Sequence, residues 1–338
     1  MKLPTSTKRT NECSASSRSI ILLENISYER SRVYFHWRIR QSARSEEVSM
    51  ATVAILGLGA MGSRMATRLV EAGHGLRVYN RSSNRADALA ARGATVATSP
   101  RHAARGADVV ISVVTDDRAS RDIWLHPETG ALPALRPGTV AVESSTLTPT
   151  WVRELANQMA DHRISLLDAP VVGSRPQAEA GKLIHLVGGD ATALERVREV
   201  LSCMSVATHH LGEPGTGTVA KLVVNGLFGI QVAAVAELLG MAAQQGLDLA
   251  RTVEVLGATP VVSPALTGAM ASIRAEQFQA LFPIDLVEKD FRYILSTSED
   301  QDSRLPTASA VHAVFAKAQH AGFGGDNITG VAQLFLER

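Results

Sequence analysis

Ala51–Arg81 reads ATVAILGLGAMGSRMATRLVEAGHGLRVYNR. An apolar run, Val53–Gly57, ends in Gly57-Leu58-Gly59-Ala60-Met61-Gly62; an Ala/Met/Leu-rich helical pattern follows, then Gly73 and a second apolar run, Leu76–Tyr79. Strand, glycine turn, helix and strand in that order are the context in which a G-x-G-x-x-G carries meaning. Gly57 permits the tight turn, Gly59 lets the main chain approach a pyrophosphate, and Gly62 lets the helix pack close to the strand. Unpaired N–H groups and the dipole at the start of that helix then hold phosphate charge.

The second strand ends in Asn80-Arg81, where a site for NAD(H) usually places an acid against the ribose hydroxyls. A carboxylate there would repel a 2′-phosphate, whereas a guanidinium binds one through two hydrogen bonds. The reading favours NADP(H) and leaves NAD(H) open; an ordinary solvated turn arginine is the plainer alternative.

The chain has 338 residues, enough for two domains each with its own core. Its formal net charge of +1 suggests neither a nucleic-acid nor a membrane partner. The cysteines, Cys13 and Cys203, lie far apart without metal-type neighbours. No disulfide framework or metal site is expected, and a reducing cytoplasm fits. Cys203 sits in an apolar run and reads as a packed thiol. Residues 1–49 are Ser/Arg-rich, and their short run Ile20–Leu23 is no secretory core. They are expected to be a disordered extension, with Met50 as an alternative start.

From Met50 onward the pattern is βαβ repeated, with strands expected at Thr52–Leu56, Leu76–Tyr79, Val109–Val114, Thr139–Glu143, Ser165–Ala169 and Ile184–Val187. Such alternation gives a Rossmann-type, doubly wound parallel sheet. The expected nucleotide domain is 50–213. Gly212-Glu-Pro-Gly-Thr-Gly217 marks its boundary with a helical domain, 214–338. Thr218–Gln245 reads as one long helix, apolar over most of its circumference and so expected to be buried between domains or subunits. Its uncharged core, Leu222–Ala236, is shorter than the roughly twenty residues of a membrane span.

Lys221 and Asn225 are the sharpest chemical pair, four apart on that helix and so on one face. An ammonium among Val219, Leu222, Val223 and Val224 is costly to desolvate, which lowers its pKa and suits it to proton transfer. A lysine snorkelling to solvent would read the same on spacing alone. Ser144-Ser145-Thr146 follows a strand at the carboxyl edge of the sheet, as a substrate or nicotinamide contact or as the N-cap of the next helix. Asp168–Arg175, DAPVVGSR, is a strand end running into a glycine turn, a backbone nest suited to a carboxylate. Lys289-Asp290 by itself reads as a surface pair, and the histidines do not assemble into a metal set.

Together these residues resemble the β-hydroxyacid dehydrogenases, the group that includes 3-hydroxyisobutyrate dehydrogenase, tartronate semialdehyde reductase and glyoxylate/succinic semialdehyde reductase. The similarity runs over nearly all of 50–338 through GLGAMGSRMATRL, SSTLTP, DAPVVGS, GTGTVAKLVVN and EKDF. The resemblance implies Lys221 as catalytic acid/base, Asn225 as its substrate-binding partner, and Ser145 and Thr146 as contacts to substrate and nicotinamide. It makes Gly173 a backbone ligand of the substrate carboxylate and closes Lys289 over the cofactor. Val114 and Thr115 match the family's cofactor-contacting strand end, and Leu58, Ala60 and Met61 its glycine loop. It further implies an all-helical second domain, a long helix joining the lobes, and a homodimer or homotetramer.

Two departures stand out: Val172-Gly173-Ser174 replaces the family's Ser-Gly-Gly, and Thr115 stands where Pro is common. They leave the identity of the acid open. Imine reductases share this fold yet usually lack the lysine, so Lys221 favours alcohol/carbonyl chemistry. The expected function is hydride transfer between NADP(H) and a small 3-hydroxy acid or semialdehyde. A non-catalytic NADP(H)-binding sensor or scaffold is the rival from another class.

Overall fold

The computed structural model describes residues 50–299 and 304–336, so the expectation for 1–49 lies outside the described residues. The strands are β1 Thr52–Leu56, β2 Gly75–Tyr79, β3 Thr95–Val96, β4 Val109–Ser112, β5 Val140–Glu143, β6 Ser165–Asp168, β7 Val171–Val172, β8 Leu183–Gly189 and β9 Ser205–Gly212. They form a single sheet in the order β3-β2-β1-β4-β5-β6-β8-β7, with β9 also paired to β8. The first six positions run parallel, the order of a Rossmann fold. Beyond β6 the sheet is mixed, because β8 lies antiparallel to β6 and β7 while β9 is parallel to β8. An all-parallel sheet was therefore too simple. The short turn at Gly173–Lys182 sends the chain straight back, which only an antiparallel neighbour allows.

Strands β4 and β5 are buried along their whole length and β1 from Val53 onward, as expected of strands covered on both faces. One face carries Val53, Ile55, Ile111, Val142 and Leu167 against α1 (Gly62–Glu71). The other carries Ala54, Leu56, Val110, Ala141 and Leu166 against α2 (Asp117–Leu125) and α3 (Pro149–Asp161). Side-chain caps fix the starts of these elements: Asp116 accepts from Ala119 N for α2, and Thr148 from Trp151 N for α3. The cap of α3 thus lies outside the Ser144–Thr146 triplet. The short α4 (Arg175–Glu179) packs beside α1 through Arg64 and Glu179, and α5 (Ala191–Ser202) leads into β9.

After Gly212 the described chain is helical. The long helix α6 spans Thr216–Gln244, followed by α7 (Leu249–Gly257), α8 (Pro264–Arg274), α9 (Ile284–Glu299) and α10 (Pro306–Ala318). Leu239, Val232 and Ala236 of α6 enter a second core with Met270, Ile273, Phe291 and Phe315. Phe291 and Phe315 stack with ring centroids 5.8 Å apart. Glycines on α6 let α9 come close: a Cβ at Gly229 would lie 2.4 Å from the Phe291 ring, and one at Gly226 would lie 2.9 Å from Ile294. That close approach carries Lys289 and Asp290 to the face of α6 that bears Asn225.

Candidate active site

The carboxyl ends of β1, β4, β5 and β6 lie along one edge of the sheet and deliver Gly57–Gly62, Val113–Thr115, Ser144–Thr146 and Ala169–Gly173. Gly57 holds φ +106°, and a Cβ there would meet Val113 O at 2.2 Å. A Cβ on Gly62 would meet Gly57 O at 2.1 Å, so both positions demand glycine. At Gly59 a Cβ would meet nothing within 4 Å, which leaves open space above the loop. Helix α1, unlike α2 and α3, has no side-chain cap; the N–H groups of Ser63 and Arg64 turn back to Gly59 O and Met61 O, and its positive dipole end faces the loop with no acidic side chain in the first turn. A glycine-lined cradle ending in an uncapped helix fits a dinucleotide pyrophosphate. Ala60 and Met61 complete the loop; Ala60 is exposed and Met61 half-buried.

Asn80 spends its side chain on the main chain: Oδ1 accepts from Leu58 N at 2.8 Å and Nδ2 donates to Ser82 O at 2.9 Å. It shapes the turn that presents Arg81. Arg81 is exposed and has no ion-pair partner among the described residues. Arg85, exposed on the turn Ser83–Ala86, adds a second cation that the sequence reading did not single out.

Ser145 is buried, and its Oγ accepts from Val114 N at 2.8 Å. Its N–H donates to the Glu143 carboxylate, which also accepts from Ser120 Oγ at 2.6 Å and Trp124 Nε1 at 2.8 Å. Burial pushes the Glu143 carboxyl up, and these donors push it back. Glu143 therefore binds the β5 loop to α2, a tie that no sequence pattern announced. Thr115 Oγ1 donates to Asp116 at 3.2 Å on the exposed side. Gly173 is exposed with φ +123° and presents its backbone at the turn.

The helical lobe reaches this edge through α9. Lys289 Nζ donates to Thr146 O at 2.7 Å and lies 3.0 Å from Asp290 Oδ1. Asp290 Oδ2 in turn accepts from Asn225 Nδ2 at 2.6 Å. The surface-pair reading of Lys289-Asp290 is overturned, since both are buried between α6, α9 and the β5 loop. Nearby, Asp117 N donates to Tyr293 Oη at 3.2 Å, and Lys289 stands 4.7 Å over the Tyr293 ring. Burial pushes the Tyr293 phenol up to about 12.

Lys221 is half-buried on α6, one turn before Asn225. Burial lowers its pKa to about 8; the Asp290 carboxylate opposes the fall and the Lys289 ammonium adds to it. Thus Val114 meets Ser145, Lys289 meets Thr146, and Asp290 links Asn225 to Lys289 and bears on Lys221. Asp290 was the missing member, and its only sequence signal was its place beside Lys289.

Two family models cover the chain: the NAD-binding domain of 6-phosphogluconate dehydrogenase matches residues 52–212, and the NAD-binding region of NADP-dependent 3-hydroxyisobutyrate dehydrogenase matches 215–335. An NAD-dependent L-serine dehydrogenase of Pseudomonas aeruginosa is 32% identical over 294 residues, 85% of this chain and 98% of that protein. The chain belongs to the β-hydroxyacid dehydrogenase family. As a β-hydroxyacid dehydrogenase it is an NAD(P)-dependent oxidoreductase acting on CH–OH groups. A Mycobacterium tuberculosis 3-hydroxyisobutyrate dehydrogenase solved with L-serine superposes with a TM-score of 0.76 at 30% identity, over 84% of this chain and 99% of that one. An imine reductase from Myxococcus stipitatus solved with NADP+ gives 0.56 at 25% identity, over 85% and 100%.

Proposed function

We propose that the protein transfers a hydride between NADP(H) and a small 3-hydroxy acid or its semialdehyde, with Lys221 as the acid/base. When bound, the nicotinamide supplies or accepts that hydride. The glycine loop and the uncapped start of α1 hold the pyrophosphate, and Arg81, exposed and with no carboxylate partner among the described residues, takes a 2′-phosphate. The exposed backbone turn at Gly173 binds the substrate carboxylate.

Lys221 gives its proton to the substrate oxygen during reduction and takes one during oxidation. Asn225 has its Nδ2 committed to Asp290, which leaves Oδ1 to accept from the substrate hydroxyl or from Lys221. The single observation that carries this reading is the place of the Lys221 amine, half-buried one turn before Asn225 on α6 and beside the Asn225–Asp290–Lys289 chain at the nucleotide edge, where burial lowers its pKa to about 8. The reading includes a second copy of the chain seated on α6.

The test follows NADPH and NADH absorbance with short-chain semialdehydes and glyoxylate. At least one semialdehyde should be reduced, faster with NADPH than with NADH. Tight NADPH binding with no oxidation by any carbonyl would favour the sensor instead.

A further inference from the structure

Lys221 can act only if the first turns of α6 hold it at a fixed place over the sheet edge, and those turns begin without a cap of their own. The N-cap residue is Gly215, with φ +95° and no side chain to offer. A helix start leaves its first N–H groups without intrahelical partners. Here they are met from another element: Asp168, the fully buried last residue of β6, accepts from Gly215 N at 2.9 Å through Oδ1 and from Thr218 N at 2.8 Å through Oδ2.

Two glycines allow the helix to sit that low. A Cβ at Gly217 would lie 2.3 Å from Leu186 O and 2.7 Å from Asp168 O. A Cβ at Gly188 would lie 2.3 Å from Asp168 Oδ1. The first turn of α6 therefore rests directly on the main chain of β6 and β8.

Asp168 is also paired in register with Glu143, whose carboxylate holds the Ser145 amide. Five residues beyond Asp168 the chain reaches Gly173. The residue that clamps the helix of Lys221 thus stands on the same strand ends that lead into the Ser145 loop and the Gly173 turn.

We infer that Asp168 is a positioning residue for the reaction: by clamping the amides of Gly215 and Thr218 it sets where Lys221 stands relative to the substrate loops. The inference rests on the acid/base reading of Lys221. Lys221 lies five residues into α6 from Thr216, about 7 Å along the axis, so a shift or tilt of the first turn reaches it almost undiminished. Misplacement of a reacting group by about 1 Å can cost on the order of a hundredfold.

The experiment compares full-length Asp168→Asn and Gly217→Ala with the wild type for kcat, KM, NADPH dissociation constant and hydrogen exchange over residues 213–222. Asparagine keeps the shape but can accept from only one of the two amides cleanly. Gly217→Ala keeps the carboxylate and lifts the same turn. Both should lower kcat about 10- to 100-fold, with NADPH affinity within about twofold of wild type and faster exchange in the first turn of α6. Faster exchange with kcat within twofold of wild type would overturn the inference, as Asp168 would then merely stabilise a helix end. Failure of both variants to fold would overturn it too, because the carboxylate would then support the fold rather than aim a side chain. Lys221→Ala, measured alongside, separates the two failures. Normal turnover in that variant sinks the acid/base reading, whereas lost turnover there beside a normal Asp168→Asn sinks only the positioning role.

Discussion

The imidazole of His185 has no exposed surface in β8; its Nδ1 lies 3.3 Å from Ala169 O, and its Nε2 has no partner among the described residues. Burial lowers its pKa from 6.5 to about 4, the Ala169 carbonyl opposing. The unfolded chain therefore binds a proton between those values that the folded chain refuses. The stabilising contribution is fully present above pH 6.5 and is lost as pH falls through 4, about 3 kcal/mol in all. Urea unfolding of wild type and His185→Gln at pH 7, 5.5 and 4 should show a shallower loss of stability in the variant; equal losses would contradict the assignment. At this scale the sequence was readable where function rests on local spacing. Lys221 and Asn225 share a helix face by simple periodicity, and Gly57 and Gly62 are demanded by one turn. Asp290, Asp168 and Glu143 were opaque for the opposite reason. What makes each of them matter is a partner on a distant element, at separations of 65, 47 and 23 residues.

Among the elements, α6 is apolar over most of its circumference and is expected to lie between domains or subunits; within the single chain Val219, Val223, Leu227, Leu238 and Met241 are exposed, Leu227 by 58% and Leu238 by 56%. At about 100° per residue these five fall within an arc of roughly 100°. They make one apolar stripe along the helix. By length and composition α6 could cross a membrane, with a mean hydropathy of 1.9 in its most apolar window. Its other side, however, is built into a protein core by Leu222, Val232, Ala236 and Leu239. A second copy of this chain suits a stripe of that length, as the proposed homo-oligomer requires. Light scattering on the purified protein should give a dimer or tetramer, and Leu227→Glu/Leu238→Glu should shift it to monomer. A wild type already monomeric at micromolar concentration would contradict the pairing. The strands show a related limit. Buried runs such as Thr52–Leu56 were legible, whereas β3 and β7 are two residues long and β9 is a polar edge strand, SVATHHLG, with no periodic signal to find.

For the whole molecule, the arrangement is a sheet edge that can hold a dinucleotide and a helical lobe that brings charge to it. Among the hydrogen bonds that join them are those of Lys289 to the Thr146 carbonyl, Asp117 N–H to Tyr293, and the Gly215 and Thr218 amides at the start of α6 to the Asp168 carboxylate. The helical region after the sheet was legible because the repeated βαβ alternation stops and helical patterning begins at Gly212–Gly217 in the sequence itself. How closely the lobes meet was not, since it depends on Gly188 and Gly217 giving way to Asp168 and Leu186. The central claim concerns the amine at that junction, and its titration tests the claim most directly. With a pKa of about 8, Lys221 should be protonated and ready to donate below pH 8, so kcat for reduction should fall as pH rises through 8 while kcat for oxidation rises. Lys221→Ala should lose both limbs and about a hundred- to ten-thousand-fold in kcat, with NADPH binding retained. A Lys221→Ala enzyme with near-normal kcat and the same pH profile as wild type would contradict the account.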